Sequence, residues 1–185
     1  MATTKDHVDW IVEAWAREMP GVDTSPMALV GRLLRASRHL QRDIERRLAT
    51  FGLNITEFNV LAALRRTGSP YRMAPVELSR SLLLSSGGLT KRIDRLELHG
   101  FIERSPDPDD RRSVLVGLTP AGRELIEEAV SAHLRNEAVL VAPLSPEQRD
   151  ALTGVLRTLL VSFEDGAQPG RRRARQPQPA PNRSE

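Results

Sequence analysis

The sequence predicts a mainly helical α+β fold: a helix-turn-helix followed by a β-hairpin wing, set between long terminal helices. Three observations predict it. First, Val76, Leu78 and Leu82 supply one apolar stripe and Leu89, Ile93 and Leu96 a second. The short link SLLLSSGG between them ends in small residues, the pattern of two helices joined by a tight turn. Second, the stretch FIERSPDPDDRRSVLVGLT, residues 101–119, places two apolar runs around a tip of prolines, aspartates and arginines. Val114, Val116 and Leu118 alternate, so this strand lies on the core while its tip projects. Third, amphipathic segments flank this centre at 26–51 and 120–164.

Each element has its own signals. Val8, Ile11, Val12, Trp15 and Met19 recur at helical spacing over residues 5–19, and Pro20-Gly21 ends that helix. Ser25-Pro26 reads as an N-cap followed by proline at the first helical position. The helix it opens runs to about Thr50 with Leu29, Leu33, Leu40, Ile44 and Leu48 on one face, and Gly52 stops it. Asn54-Ile-Thr-Glu57 has capping-box spacing and predicts a helix through Arg66, broken by GSPYR. Helices over 74–82 and 86–99 follow, the second closed by Gly100, then strands at 101–104 and 113–118. Thr119-Pro120 opens a helix to about Val141, and Ser145-Pro146-Glu147-Gln148 caps a last one ending near Glu164. Residues 166–185, rich in Pro, Arg and Gln, have the composition of a disordered tail.

Composition narrows the function. The chain has 185 residues and no cysteine, which removes disulfides, thiolate nucleophiles and zinc ribbons. The net charge of +3 is carried by the tail, which holds five arginines and one glutamate. Residues 1–165 keep 22 basic and 23 acidic side chains, a net of −1. A nucleic-acid partner must therefore be recognised by local placement of charge. No apolar run approaches the roughly 20 residues that span a bilayer, and the charged start lacks a signal peptide's apolar segment. A cytoplasmic location without membrane contact is expected. His7, His39, His99 and His133 fall on different helices, and no phosphate loop or nucleophile elbow occurs. No enzymatic activity, cofactor or metal is expected.

In a helix-turn-helix the second helix enters the major groove with its first residues toward the base edges. Those residues are Ser85, Ser86, Thr90, Lys91 and Arg95, whose hydroxyl, ammonium and guanidinium groups suit bases and phosphates. The wing tip can reach the adjacent minor groove, whose negative potential favours arginine. Arg111 and Arg112 are the reaching groups, and Asp110 holds Arg112 extended. A winged helix that binds protein instead of DNA would carry an apolar second helix and a wing without arginines.

Together these residues resemble the MarR family of winged-helix regulators. The resemblance rests on Leu96 to Arg104 (LELHGFIER), the Asp-x-Arg wing at 110–112 and LTPAGREL at 118–125, and it covers residues 26–164. It implies a homodimer on palindromic double-stranded DNA, with a reading head at about 54–118 and dimerisation helices at 26–51 and 120–164. The extra helix in residues 1–20 resembles the urate-responsive branch, which binds its ligand through Trp, Asp, Arg and Arg. The matching positions are Trp15, Asn59, Arg66 and Arg92, with Asn59 where the branch has aspartate. An arginine half-buried between helices needs an anion or carboxylate, either a ligand or an acid such as Asp43 or Glu13. Losing one negative charge shifts the expected effector from a urate-like anion toward a polycarboxylate such as citrate or trans-aconitate.

Overall fold

The structure, a computed structural model, describes residues 4–83, 86–108, 110 and 113–167, with the backbone alone at Ser86, Gly166 and Ala167. The elements run α1 (His7–Glu18), α2 (Ser25–Ala49), α3 (Ile55–Arg66), β1 (Arg72–Met73), α4 (Pro75–Leu82), α5 (Ser86–Leu98), β2 (Ile102–Pro106), β3 (Val114–Leu118), α6 (Pro120–Leu140) and α7 (Pro146–Ala167). They divide into two compact units, one ending at Leu140 and one beginning at Val141.

In the first unit α3 is the hub. Phe58 and Val60 to Leu64 are all buried, against Leu48 of α2, Leu78 of α4, Leu89, Ile93 and Leu96 of α5, and Ile126 and Ala129 of α6. A large apolar side chain contributes about 1.5–3 kcal/mol when fully buried. The helix starts as its sequence requires: Asn54 Oδ1 accepts from Glu57 N at 3.0 Å, and Glu57 Oε2 accepts from Asn54 N at 3.1 Å. The antiparallel sheet has the order β1-β3-β2, with Ile102 opposite Leu118 and Arg104 opposite Val116. Val116 and Leu118 face inward as expected, but Val114 is 44% exposed. It pairs with Pro106 at the outer end of the sheet, toward the hairpin tip.

The sequence carries no signal for β1, since two residues offer no alternation to detect. Its register sets Arg72 opposite Gly117, which in turn lies opposite Glu103. The missing side chain of Gly117 lets Arg72 cross β3 and bond Glu103 at 3.0 Å; a Cβ there would stand 2.7 Å from Arg72 Cγ.

The junction of α5, β2 and α6 explains two parts of the signature at once. Gly100, at φ +74°, turns the chain out of α5. Thr119 N then donates to Phe101 O at 3.1 Å, and Thr119 Oγ1 bonds Gly100 O at 2.6 Å while accepting from Gly122 N at 3.0 Å. A Cβ on Gly122 would fall 1.8 Å from Phe101 O. The glycine of LTPAGREL is thus the hole into which GFIER turns.

The start of α2 differs from the sequence expectation by one residue. Thr24 is the cap, without a side-chain bond, and Asp23 Oδ1 accepts from Ser25 N at 2.9 Å. α1 is capped by a reciprocal Asp6–Asp9 pair and docks on α2. Val8 is buried with its Cγ1 3.2 Å from the Cβ position of Gly31, and Arg32 bonds both Asp6 and Asp9. In the second unit, α7 starts on a Ser145–Gln148 capping pair and continues past Glu164 to Ala167. The tail beyond it lies outside the described residues.

Candidate nucleic-acid interface

α4 and α5 form the two helices of a helix-turn-helix. α4 is capped at its C-terminus by Leu83, which adopts a left-handed conformation (φ 53°) and is 94% exposed. Ser85, the side chain of Ser86, Arg111 and Arg112 lie outside the described residues, so their expected part in DNA contact stays a proposal. Thr90 and Lys91 stand exposed in the first half of α5, opposite the buried Leu89 and Ile93. Asp110 is exposed and bonded to Ser113: Ser113 Oγ bonds its Oδ2 at 2.7 Å, and Ser113 N donates to its carbonyl at 2.8 Å.

Ion pairs brace α5 on both flanks. Arg104 of β2 pairs with Asp94 and Glu97, and the hydrogen bond it donates to Asp94 pushes its pKa up, so it stays charged. On the other flank Arg95 Nη1 lies 3.1 Å from Glu57 Oε1, an ion contact without the alignment of a hydrogen bond. Glu57 is 1% exposed, while the Arg95 side chain is 51% exposed. Arg95, expected as a groove-reading group, is therefore also tied to α3. The two residues are far apart in sequence, so only the capping half of Glu57's role was legible.

The four expected ligand residues are distributed over three helices, and no hydrogen bond or ion pair joins any two of them. Asn59 and Arg66 are both exposed on α3, about two turns apart on one face. Arg66 thus departs from the expected half-buried position, because burial on α3 ends at Leu64 and its last turn reaches solvent. Trp15 is 45% exposed on α1. Arg92 is half-buried on α5, as expected. Among the described residues the half-buried arginines are Arg32, Arg65 and Arg92; Arg32 and Arg65 have carboxylate partners, whereas Arg92 has neither a hydrogen bond nor an ion pair. The intramolecular acids that could have neutralised it are engaged elsewhere, Asp43 with Arg46 and Glu13 with Lys5.

A helix-turn-helix, a three-stranded wing and an exposed lysine and threonine on the second helix define a winged-helix DNA-binding protein. The profile of the MarR family matches residues 53–114. The regulator PecS of Dickeya dadantii is 38% identical over 146 residues, 79% of this chain and 88% of PecS. A cysteine-to-serine variant of E. coli MarR, complexed with operator DNA, superposes with a TM-score of 0.64 at 28% identity, covering 75% of this chain and 99% of that one. Bordetella bronchiseptica BpsR, whose DNA binding is regulated by 6-hydroxynicotinic acid, gives 0.61 at 32% identity, covering 71% and 98%. The chain belongs to the MarR family: it is a DNA-binding transcriptional regulator and not an enzyme.

Proposed function

We propose that the protein is a cytoplasmic homodimeric repressor that holds a pseudo-palindromic operator and is released by a small organic anion. The observation that carries the effector half is Arg92, a half-buried guanidinium without a partner among the described residues, on the same helix that presents Thr90 and Lys91. Burying an unpaired charge is costly, so an anion at Arg92 is favoured. Drawing Arg92 toward an anion shifts α5, and coupling of this kind typically amounts to about 1–3 kcal/mol, a 5- to 150-fold loss of DNA affinity. Trp15, Asn59 and Arg66 complete the site in this reading, with Arg66 at its rim. BpsR, a relative in fold whose DNA binding is regulated by a small aromatic acid, supports the effector class.

Dimerisation is supported by the apolar residues left uncovered on the flanking helices. α2 exposes Leu29, Val30 and Leu34, α6 exposes Leu134 and Val139, and α7 exposes Val155, Leu160 and Phe163. Exposed apolar patches of this kind mark interfaces. The domain plan is an extra N-terminal helix in 1–20, the regulator proper in 26–164 with its reading head at 54–118, and a basic tail at 166–185 that adds non-specific DNA attraction.

The test is to titrate urate, citrate and trans-aconitate into the protein–DNA complex for wild type, Arg92→Ala and Arg66→Ala. Both tryptophans, Trp10 and Trp15, sit on α1, so their fluorescence reports ligand arrival beside it. Release of DNA in wild type that is lost in Arg92→Ala is the expected result. No release by any organic anion, or equal release in Arg92→Ala, rejects the effector site.

A further inference from the structure

We propose that Glu57 is a positioning residue for DNA recognition: its buried carboxylate holds Arg95 of the reading helix in the posture that α5 presents to the groove. This role rests on the reading of α5 as the helix that enters the groove.

The capping box alone does not call for a charge at position 57. Glutamine serves that position as well as glutamate, and only Oε2 is used for it, accepting from Asn54 N. Oε1 is buried, has no hydrogen bond and faces one cation, Arg95 Nη1 at 3.1 Å. A carboxylate buried this deeply is costly, and among the described residues Arg95 is the one cation placed to offset that cost. Arg95 lies four residues after Lys91, on the same face of α5 one turn on. Half of its side chain is exposed, so one nitrogen is anchored on α3 while the rest of the planar fork faces solvent. The opposite flank is closed by Arg104, which pairs with both Asp94 and Glu97 and offsets one of their two negative charges.

The two effects of the carboxylate oppose each other, which makes them separable. Anchoring reduces the rotamer freedom Arg95 loses on specific binding. The negative charge, however, offsets part of Arg95's attraction for any phosphate. Removing it weakens specific binding and strengthens non-specific binding, so the specificity ratio falls from both sides.

The experiment measures affinity of the full-length protein for operator and for random duplex over a salt series. Glu57→Gln keeps the cap and removes the charge. Operator affinity should fall about fivefold, the loss expected from freeing one side chain. Random-duplex affinity should rise, and the slope of log K against log salt should steepen by up to about 0.9, one more phosphate neutralised. Neither change should occur when Glu57→Gln is made in an Arg95→Ala background. Asn54→Ala breaks the same cap without touching Arg95, so it should lower stability and leave the ratio and slope at wild-type values. If Glu57→Gln folds poorly, Arg95→Lys decides: it keeps a charge beside Glu57 but loses the fork, and the ratio should still fall. An unchanged ratio and slope in Glu57→Gln, an unchanged ratio in Arg95→Lys, or an identical Glu57→Gln effect without Arg95 overturns the proposal. If Lys91→Ala weakens binding while one of those contrary results is found, the positioning role alone is wrong. If Lys91→Ala also changes nothing, α5 does not read DNA and both readings fall.

Discussion

Replacing Gly122 by alanine tests the joint between the wing and α6. The added Cβ would lie 1.8 Å from Phe101 O, and real Cβ atoms stay beyond 3.0 Å, so 1.2 Å must be taken up by backbone. That carbonyl is not free to move, because it accepts from Thr119 N, and Thr119 Oγ1 is tied to Gly100 O. Overpacking of this kind costs about 1–3 kcal/mol, and each strained hydrogen bond adds about 1 kcal/mol. Alanine returns up to about 1 kcal/mol through helix propensity. The net expectation is a loss of about 2–4 kcal/mol, a large share of the roughly 5–15 kcal/mol that holds a domain together. Urea denaturation at fixed protein concentration measures it, since the proposed dimerisation would make stability concentration-dependent. A loss below about 0.5 kcal/mol would refute the close approach, because surface substitutions typically stay within that range.

Gly117→Ala meets a flexible side chain, Arg72, instead of backbone. It should cost about 1 kcal/mol by displacing the Arg72–Glu103 pair, less than Gly122→Ala in the same urea series. At the wing, Arg112→Ala should weaken operator binding by about 1–3 kcal/mol in gel shifts, and Asp110→Ala by less; equal affinity for Arg112→Ala removes the wing from recognition. The docking of α1 should depend on pH. The Asp9 carboxylate accepts the Asp6 backbone N–H and an Arg32 hydrogen bond, which lower its pKa. A depressed folded pKa means the docked state is favoured above the ordinary aspartate range and loses that support as pH falls through the depressed value. Tryptophan anisotropy should drop across that acid range, and Arg32→Ala should move the drop to higher pH.

Much of the fold was legible because its signals are local. The Asn54–Glu57 and Ser145–Gln148 caps, the Gly100 stop and the inward Val116 and Leu118 all come from spacing within a few residues. The Asp6–Asp9 cap has the same spacing but is harder to see, because aspartate stands where glutamate is usual. β1 is too short for alternation and exists only because β3 offers it an edge. The candidate site was less legible. Thr90 and Lys91 could be placed by their position in a helix-turn-helix, and Arg92 by the family resemblance. The Glu57–Arg95 pair, the Arg104 brace and the exposure of Arg66 depend on which helices meet, and no local pattern encodes that. Gly122 was visible as a letter of a motif and Gly117 only as a residue within the second strand, and the packing alone shows what their missing side chains admit.

The measurement that bears most directly on the central claim is a footprint of the protein on DNA that it selects from a random duplex pool, read together with its mass in solution. A dimer protecting a pseudo-palindrome, with half-sites about one helical turn or 10 base pairs apart, is the predicted result. A stable monomer, protection without dyad symmetry, or no preference for that DNA over random duplex would contradict it.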